Sequence, residues 1–320
     1  MAEDVRYKIY SQYLKNKYGE KVYKLPVNLP VTCPNKINGM GGCTFCSEEG
    51  TGFEAMPSQK SVTEQLMVTK EKIEKKYKAH KFIAYFQNYT NTYLPLSQFE
   101  NYLSEAAEVE EVVEISVSTR PDCIHEKYLD SLKKIQEIYK KEITIELGLQ
   151  TANYHTLMKI NRGHRLAEFL GAVLMIQRYG FEICVHVIPN LPYDTLEDVI
   201  ETARILSILP ISQVKLHSLY IAKGTKLEQD YLEGRIQICT REEYYERIAW
   251  FLMNLREDMV IERLFSRIPE EDSVFSNWGM SWWKCQEEFL TYMQEHDYYQ
   301  GKVSNQILAE PIIKAGFLNQ

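Results

Sequence analysis

Residues 21–46 read KVYKLPVNLPVTCPNKINGMGGCTFC. A strand-like run at 21–27 passes directly into a loop that carries Cys33, Cys43 and Cys46 together with Pro34, Gly39, Gly41 and Gly42. Glycines permit the backbone angles that let a loop wrap closely around an object larger than a single ion. Three thiolates suit an iron–sulfur cube in which one iron keeps no protein ligand. Compact cysteine groups also bind zinc, and three unrelated cysteines would leave the same spacing, so this stretch alone leaves all three readings open.

The residues that follow set the context. Ser61 with Glu64 three positions later is a capping-box signature for a helix to about residue 77. Strands are expected at 81–87 (KFIAYFQ), 112–119 (VVEISVST), 142–149 (EITIELGL), 182–188 (EICVHVI) and 214–219 (VKLHSL). Helices are expected between them at 95–107, 125–139, 166–179 (ended by Gly180) and 196–209, with a further long helix at 242–255. Read as apolar on both faces and joined by helices, six such strands imply a parallel sheet with right-handed crossovers. Six units are too few for a closed eight-fold barrel. The expected fold is therefore α/β, a partial (βα)6 TIM-like barrel over residues 1–240, with a helical and aromatic C-terminal extension over 241–320. The order within the extension around Trp278, Trp282 and Trp283 is not legible.

In parallel α/β architectures ligands bind where loops leave the C-terminal ends of the strands. The polar loops here fall at those places. Cys33 to Cys46 follows the first strand, Gln87-Asn88-Tyr89-Thr90-Asn91-Thr92 the second, Ser118-Thr119-Arg120-Pro121-Asp122 the third, Gln150 the fourth and Pro189-Asn190-Leu191-Pro192 the fifth.

The 45% apolar and 25% charged residues of the 320-residue chain are those of a globular protein with a full core. No apolar run is long enough to span a bilayer, and the first nineteen residues have no signal-peptide pattern. The four cysteines outside the loop, Cys123, Cys184, Cys239 and Cys285, are scattered, which argues against a disulfide framework and for a reducing cytoplasm. The net charge of −7 argues against a surface coated for nucleic acid. Residues 1–81 nevertheless hold 14 Lys or Arg against 9 Asp or Glu, with Lys70, Lys72, Lys75, Lys76, Lys78 and Lys81 close together. A solvated helix face is the ordinary reading of such a run; a local phosphate-binding patch is the sharper one.

Taken together, the cysteine loop and the runs YFQNYTNTY, STRPD, ELGLQT, INRGHR and HSLYIAKGTKL resemble radical S-adenosylmethionine (radical SAM) enzymes. Within that superfamily they resemble the YhcC/YtqA-like branch, related to the catalytic subunit of elongator. The C-x9-C-x2-C spacing departs from the commoner C-x3-C-x2-C and is shared with that branch. The resemblance implies a [4Fe–4S] cluster on Cys33, Cys43 and Cys46, whose open iron binds S-adenosylmethionine for one-electron cleavage to a 5′-deoxyadenosyl radical. It further implies S-adenosylmethionine contacts from Phe45, Gln87, Asn88, Thr90, Asn91, Ser118, Gln150 and Arg162. Neutral side chains after the second strand replace the Gly-Gly-Glu-like motif of many relatives. A Pro-Asn-Leu-Pro-Tyr loop stands where relatives often have Gly-Leu-Pro-Gly-Glu. The implied substrate is tRNA at a wobble uridine, with conversion of a 5-carboxymethylaminomethyl group to 5-aminomethyl. The implied electron source is a flavodoxin- or ferredoxin-type donor, and no membrane partner is expected. The alternatives are a different small-molecule or protein substrate, or a zinc-binding scaffold without enzymatic activity.

Other residues read more plainly. Mid-strand His186 and Cys184 read as core, one of Lys215 and His217 faces the barrel interior, and the tryptophans form a packing cluster before they form a base-stacking platform.

Overall fold

The computed structural model describes residues 5–37, 39, 41–47 and 55–304; Asn38 and Met40 of the cysteine loop and residues 305–320 of the expected extension lie outside it. Six strands stand where the sequence pattern puts them: β1 (Val22–Val27), β2 (Lys81–Phe86), β3 (Val112–Thr119), β4 (Glu142–Gln150), β5 (Glu182–Val187) and β6 (Gln213–Leu216). A two-residue strand β7 (Ile221–Ala222) follows, then β8 (Val260–Arg263) and β9 (Ser273–Phe275). β1 to β6 and β8 pair in parallel, in the order β1-β2-β3-β4-β5-β6-β8, while β7 and β9 form a separate antiparallel ribbon. The result is a curled, seven-stranded half-barrel. The seventh strand comes from the segment expected to be an extension; at four residues it is too short to stand out from its surroundings in the sequence.

The helices are α1 (Tyr10–Tyr18), α2 (Val62–Tyr77), α3 (Leu96–Ala107), α4 (Glu126–Tyr139), α5 (Tyr154–Lys159), α6 (Leu166–Gln177), α7 (Leu196–Ile208), α8 (Lys226–Leu232), α9 (Arg241–Asn254) and α10 (Trp282–Glu295). Their starts follow side-chain chemistry. The Ser61 hydroxyl accepts from the Glu64 amide at 3.1 Å, and Thr195 with Asp198 and Thr240 with Glu243 form reciprocal capping boxes. Gly180 takes φ +72° just beyond α6, a conformation a side chain would oppose. α1, unforeseen in the lead-in, packs on both β1 and β8. Just before it, Ile9 bridges Ile261, so the N-terminal segment lies across the open seam of the sheet. No helix among the described residues is long and apolar enough to cross a membrane.

The outward face of the strands and the inward face of the helices make the core, with Phe82, Phe86, Phe99, Leu25, Leu66 and Leu103 fully buried. Each such side chain contributes roughly 1.5–3 kcal/mol through removal from water. The expectation that the strands are apolar on both faces is corrected here. Successive strand residues point to opposite sides, and the inward positions are polar: Lys24, Tyr85, Glu114, Ser116, Thr144, Glu146, His186, Lys215 and Glu262 meet one another inside the half-barrel. A smaller apolar cluster at the mouth (Leu157, Ile160, Ile188, Leu191, Leu219, Ile221, Leu227 and Ile236) receives Phe45 from the cysteine loop. Trp278 donates to the Cys239 carbonyl at 2.8 Å and packs on Tyr244, whereas Trp283 is half exposed. The tryptophans are thus mainly a packing element.

Candidate active site

The cysteine loop is held by backbone and amide contacts rather than by apolar packing alone. Cys33 precedes a short 3-10 turn, Pro34–Lys36. The Gly42 amide donates to the Asn35 carbonyl at 2.6 Å and the Thr44 amide to the Ile160 carbonyl at 3.0 Å. Asn161 donates to the Gly42 carbonyl at 2.7 Å. Asn35 answers with a bond to the Asn161 carbonyl at 2.7 Å. Gly39, Gly41 and Gly42 all take φ near +75°, which is why this loop needs glycine at those positions.

All three thiols are free and line one open cavity of about 730 Å3 at the C-terminal ends of β1 to β5. Hydrogen-bond donors converge on two of the sulfurs. Arg120 Nη1 lies 3.6 Å from Cys33 Sγ, Arg162 Nη1 lies 3.5 Å from Cys43 Sγ, and Asn35 Nδ2 lies 3.6 Å from the same Cys43 sulfur. Donors and positive charge around sulfur tune a cluster held by it. Three thiols in one cavity, two of them facing arginines, fit a three-cysteine [4Fe–4S] site. A structural zinc site would ordinarily close with a fourth protein ligand.

The two arginines are themselves fixed. Arg120 forms a bidentate pair with Asp122 at 2.9 and 2.7 Å. Burial alone would raise the Asp122 carboxyl, but these bonds prevail and hold it below the usual range. Arg162 donates from Nη2 to the Gly148 carbonyl at 2.6 Å and from Nε to His164 Nε2 at 2.8 Å. Burial and the neighbouring Arg162 push His164 down to about 3, so it is neutral. Its Nε2 also lies 2.9 Å from the Gly148 carbonyl, and its Nδ1 lies 3.2 Å from the Arg165 carbonyl. Glycine makes this close approach possible: a Cβ on Gly163 would stand 2.4 Å from Arg120 Nη2, and one on Gly148 would stand 2.7 Å from Arg162 Nη2.

Of the side chains expected to contact S-adenosylmethionine, Phe45, Gln87, Thr90, Ser118, Gln150 and Arg162 line this cavity. Asn88 and Asn91 do not. Asn88 turns to Asn28 at 2.9 Å, and Asn91 spans the carbonyls of Phe86 and Ser118 at 2.9 and 2.8 Å, bracing the loop instead. Both sit in one short polar run, and only the turn geometry separates them from Gln87 and Thr90. Gln150 takes φ +78° at an irregularity in the β4–β5 pairing, a costly conformation for a residue with a side chain.

A second cavity, of about 820 Å3, adjoins the first; both are lined by Phe45, Cys46, Gln87, Gln150 and His186. Beneath the cavities lies a buried charge quartet. Lys24 bonds Glu146 at 2.5 Å and Glu262 at 2.6 Å, and Lys215 bonds Glu146 at 3.2 Å and Glu262 at 2.7 Å. Despite burial, the two ammoniums hold Glu146 well below the carboxylate range and Glu262 at about 2. His186 Nε2 lies 2.6 Å from Glu146 Oε2. Burial lowers the His186 imidazole below its usual value against the pull of Glu146, so it donates Nε2–H to the carboxylate and keeps Nδ1 as its basic atom.

These placements correct several plain readings. His186 lines both cavities rather than the core. Lys215 and His217 are two apart and share a face, so both turn inward. Cys184 is buried in this polar interior, 3.7 Å from Glu262, not in an apolar layer. The signal for the quartet was present in the sequence as charged residues at alternate strand positions. Arg120, within the STRPD run, was likewise legible only as part of a motif.

The chain belongs to the radical SAM superfamily. That family's model matches residues 27–206, and the radical SAM C-terminal domain matches residues 211–295. Within the superfamily it is a YhcC/YtqA-like protein. It is 29% identical to the uncharacterized protein YtqA of Bacillus subtilis, with 93% of this chain and 92% of the relative aligned. It is 32% identical to the uncharacterized protein MJ0486 of Methanocaldococcus jannaschii, over 91% and 90% respectively. A shorter match, 24% identical over 46% of this chain, is to the tRNA uridine(34) acetyltransferase of Methanocaldococcus infernus, of which it spans 28%. Among solved structures the archaeal M. infernus Elp3 superposes with a TM-score of 0.66 at 17% identity; it aligns over 87% of this chain, which spans 64% of that one, a likeness of fold.

Proposed function

We propose that this protein is a [4Fe–4S]-dependent enzyme that cleaves S-adenosylmethionine reductively and acts on the wobble uridine of tRNA, converting 5-carboxymethylaminomethyl to 5-aminomethyl. The observation that carries it is the set of three free thiols of Cys33, Cys43 and Cys46, two of them facing arginines, in a cavity that shares a wall with a second chamber. Cluster and S-adenosylmethionine, when bound, supply a 5′-deoxyadenosyl radical. The chain's own residues do the rest. The three cysteines hold the cluster, and Gln87, Thr90, Ser118 and Gln150 present neutral oxygens and amides to the cofactor. Arg162 has five N–H groups and engages three in the protein, which leaves two for a carboxylate. Phe45, packed on the apolar mouth cluster, shields the site from water.

In the substrate, one hydrogen atom leaves the methylene between nitrogen and carboxylate, the N–H proton goes to a base, and one electron goes to an acceptor of the flavodoxin or ferredoxin class. The imine so formed is cleaved by water to the 5-aminomethyl nucleoside and glyoxylate. His186, neutral and held through Nε2 by Glu146, is placed to take that proton at Nδ1. Action at uridine 34 is supported by the shorter match to a tRNA uridine(34) acetyltransferase, and the exposed Lys72, Lys76 and Lys78 at the end of α2 suit an RNA backbone. The reading places the enzyme in the cytoplasm, where tRNA is found. Mass spectrometry of tRNA nucleosides from a strain lacking the gene tests it. Accumulated 5-carboxymethylaminomethyluridine with lost 5-aminomethyl derivatives is expected, and an unchanged profile overturns the substrate assignment. Anaerobic reconstitution with iron and sulfide tests the chemistry, with 5′-deoxyadenosine expected on adding dithionite and S-adenosylmethionine.

A further inference from the structure

The second chamber, on the far side of Phe45, Cys46 and Gln87 from the remaining cysteines, is lined in addition by His217, Tyr220, Arg263 and Arg267. Two of its polar residues, Arg263 and His217, pair with each other and keep unmet capacity. Arg263 Nη2 donates to His217 Nδ1 at 3.4 Å. With Nδ1 accepting, the neutral His217 ring carries its proton on Nε2. Burial and the adjacent Arg263 both keep His217 uncharged. His217 Nε2 and Arg263 Nε are buried, and neither finds a hydrogen-bond partner among the described residues. A buried donor without an acceptor is costly, most of all on a cation. Arg267 adds a second guanidinium, stacked 4.0 Å over Trp282. No Asp or Glu among the described residues lines this chamber; Glu146 and Glu262 lie below it, committed to Lys24 and Lys215.

We infer that the chamber is the substrate pocket and that its Arg263–His217 pair binds a carboxylate of the substrate. The pocket shares Phe45, Cys46, Gln87, Gln150 and His186 with the cofactor cavity, so a substituent anchored on Arg263 and His217 would lie beside that cavity. The pair thereby selects an acidic substituent over a neutral one of the same size. This assignment rests on the radical-enzyme reading above and names what its second chamber recognises.

The test is equilibrium binding to the reconstituted holoenzyme with S-adenosylmethionine and no reductant. Three anticodon stem-loop RNAs are compared, bearing at the wobble position 5-carboxymethylaminomethyluridine, its carboxamide, or plain uridine. The carboxylate RNA is expected to bind roughly tenfold to a hundredfold more tightly than the carboxamide, the worth of a hydrogen bond to a charged group. Arg263→Gln should erase that preference while leaving carboxamide binding in place, His217→Leu should reduce it, and Arg263→Lys should restore part of it. Retained carboxamide binding also shows that each variant is folded. Equal affinity of wild type for carboxylate and carboxamide overturns the inference. So does an Arg263→Gln loss that is equal for all three RNAs, which would mark a phosphate contact instead. If none of the RNAs binds, the tRNA assignment fails, and N-benzylglycine against N-benzylglycinamide takes their place. A carboxylate preference that vanishes in Arg263→Gln then supports the pocket assignment, and no preference overturns it.

Discussion

Arg162 Nη1 lies 3.5 Å from the sulfur of Cys43, 119 residues earlier in the chain. The link ties the loop between α5 and α6 to the cysteine loop after β1. It gives Arg162 a part in tuning the sulfur besides any contact with S-adenosylmethionine. A cationic donor to a ligating thiolate stabilises the reduced, more negative cluster. Arg162→Met should therefore make the cluster potential more negative, by on the order of 50 mV for roughly 1 kcal/mol of differential hydrogen bonding. A redox titration followed by electron paramagnetic resonance measures it; an unmoved potential with weakened S-adenosylmethionine binding would leave Arg162 a cofactor ligand alone.

Cys43→Ala should abolish both the brown absorbance of the reconstituted protein and 5′-deoxyadenosine formation. Cys184→Ala, which removes a buried thiol beside Glu262, should retain both. Iron and sulfide analysis of the two variants in parallel checks the assignment of ligands.

Gly148→Ala and Gly163→Ala probe the two arginines without touching them. The added methyl would meet Arg162 Nη2 at 2.7 Å in one case and Arg120 Nη2 at 2.4 Å in the other. Each guanidinium is held by several bonds and cannot yield cheaply. A loss of about 1–3 kcal/mol in stability is expected, as for other overpacked sites, with lower iron content after reconstitution. Urea denaturation and iron analysis provide the measurements.

Gln150→Gly should separate stability from function. It relieves the left-handed conformation at φ +78° and removes an amide from the cofactor cavity. Stability should hold or rise by about 1 kcal/mol, while S-adenosylmethionine binding weakens. A fall in both would show that the side chain supports the fold.

The buried quartet predicts the acid limb of stability. Glu262 falls from an ordinary 4.5 to about 2 in the folded protein because Lys215 and Lys24 outweigh the burial that opposes its charge. A carboxyl whose folded pKa is depressed stabilises fully above its unfolded value, and loses that contribution as pH falls through the folded one. Stability should thus decline between about pH 4.5 and 2 in wild type, and less steeply in Glu262→Gln. That variant, like Glu146→Gln, should start roughly 3–5 kcal/mol lower at pH 7, because it leaves lysine charge buried without compensation.

The alternation of β-rich and helical runs, with turn residues and caps between them, is local chemistry, and it made six strands and most of the helices legible. The cysteine spacing and the polar loops after each strand were legible for the same reason. Three features needed the folded chain. β8 is a four-residue strand that only gains its identity by pairing with β6. Helix α1 makes its contacts with β1 and β8, far apart in sequence. Asn88 and Asn91 look like Gln87 and Thr90 in a string of letters, and only the turn geometry sends one pair away from the cavity and the other into it.

By itself, then, the sequence determined a parallel α/β half-barrel with three thiols at its mouth, because strand period, capping and cysteine spacing act over a few residues. Tertiary structure alone decided which sulfur each arginine meets. It also decided that Lys24, Glu146, Lys215 and Glu262 neutralise one another, and that Arg263 and His217 meet on the wall of a second chamber. Those outcomes depend on strand register and curl, which bring together side chains as many as 238 residues apart.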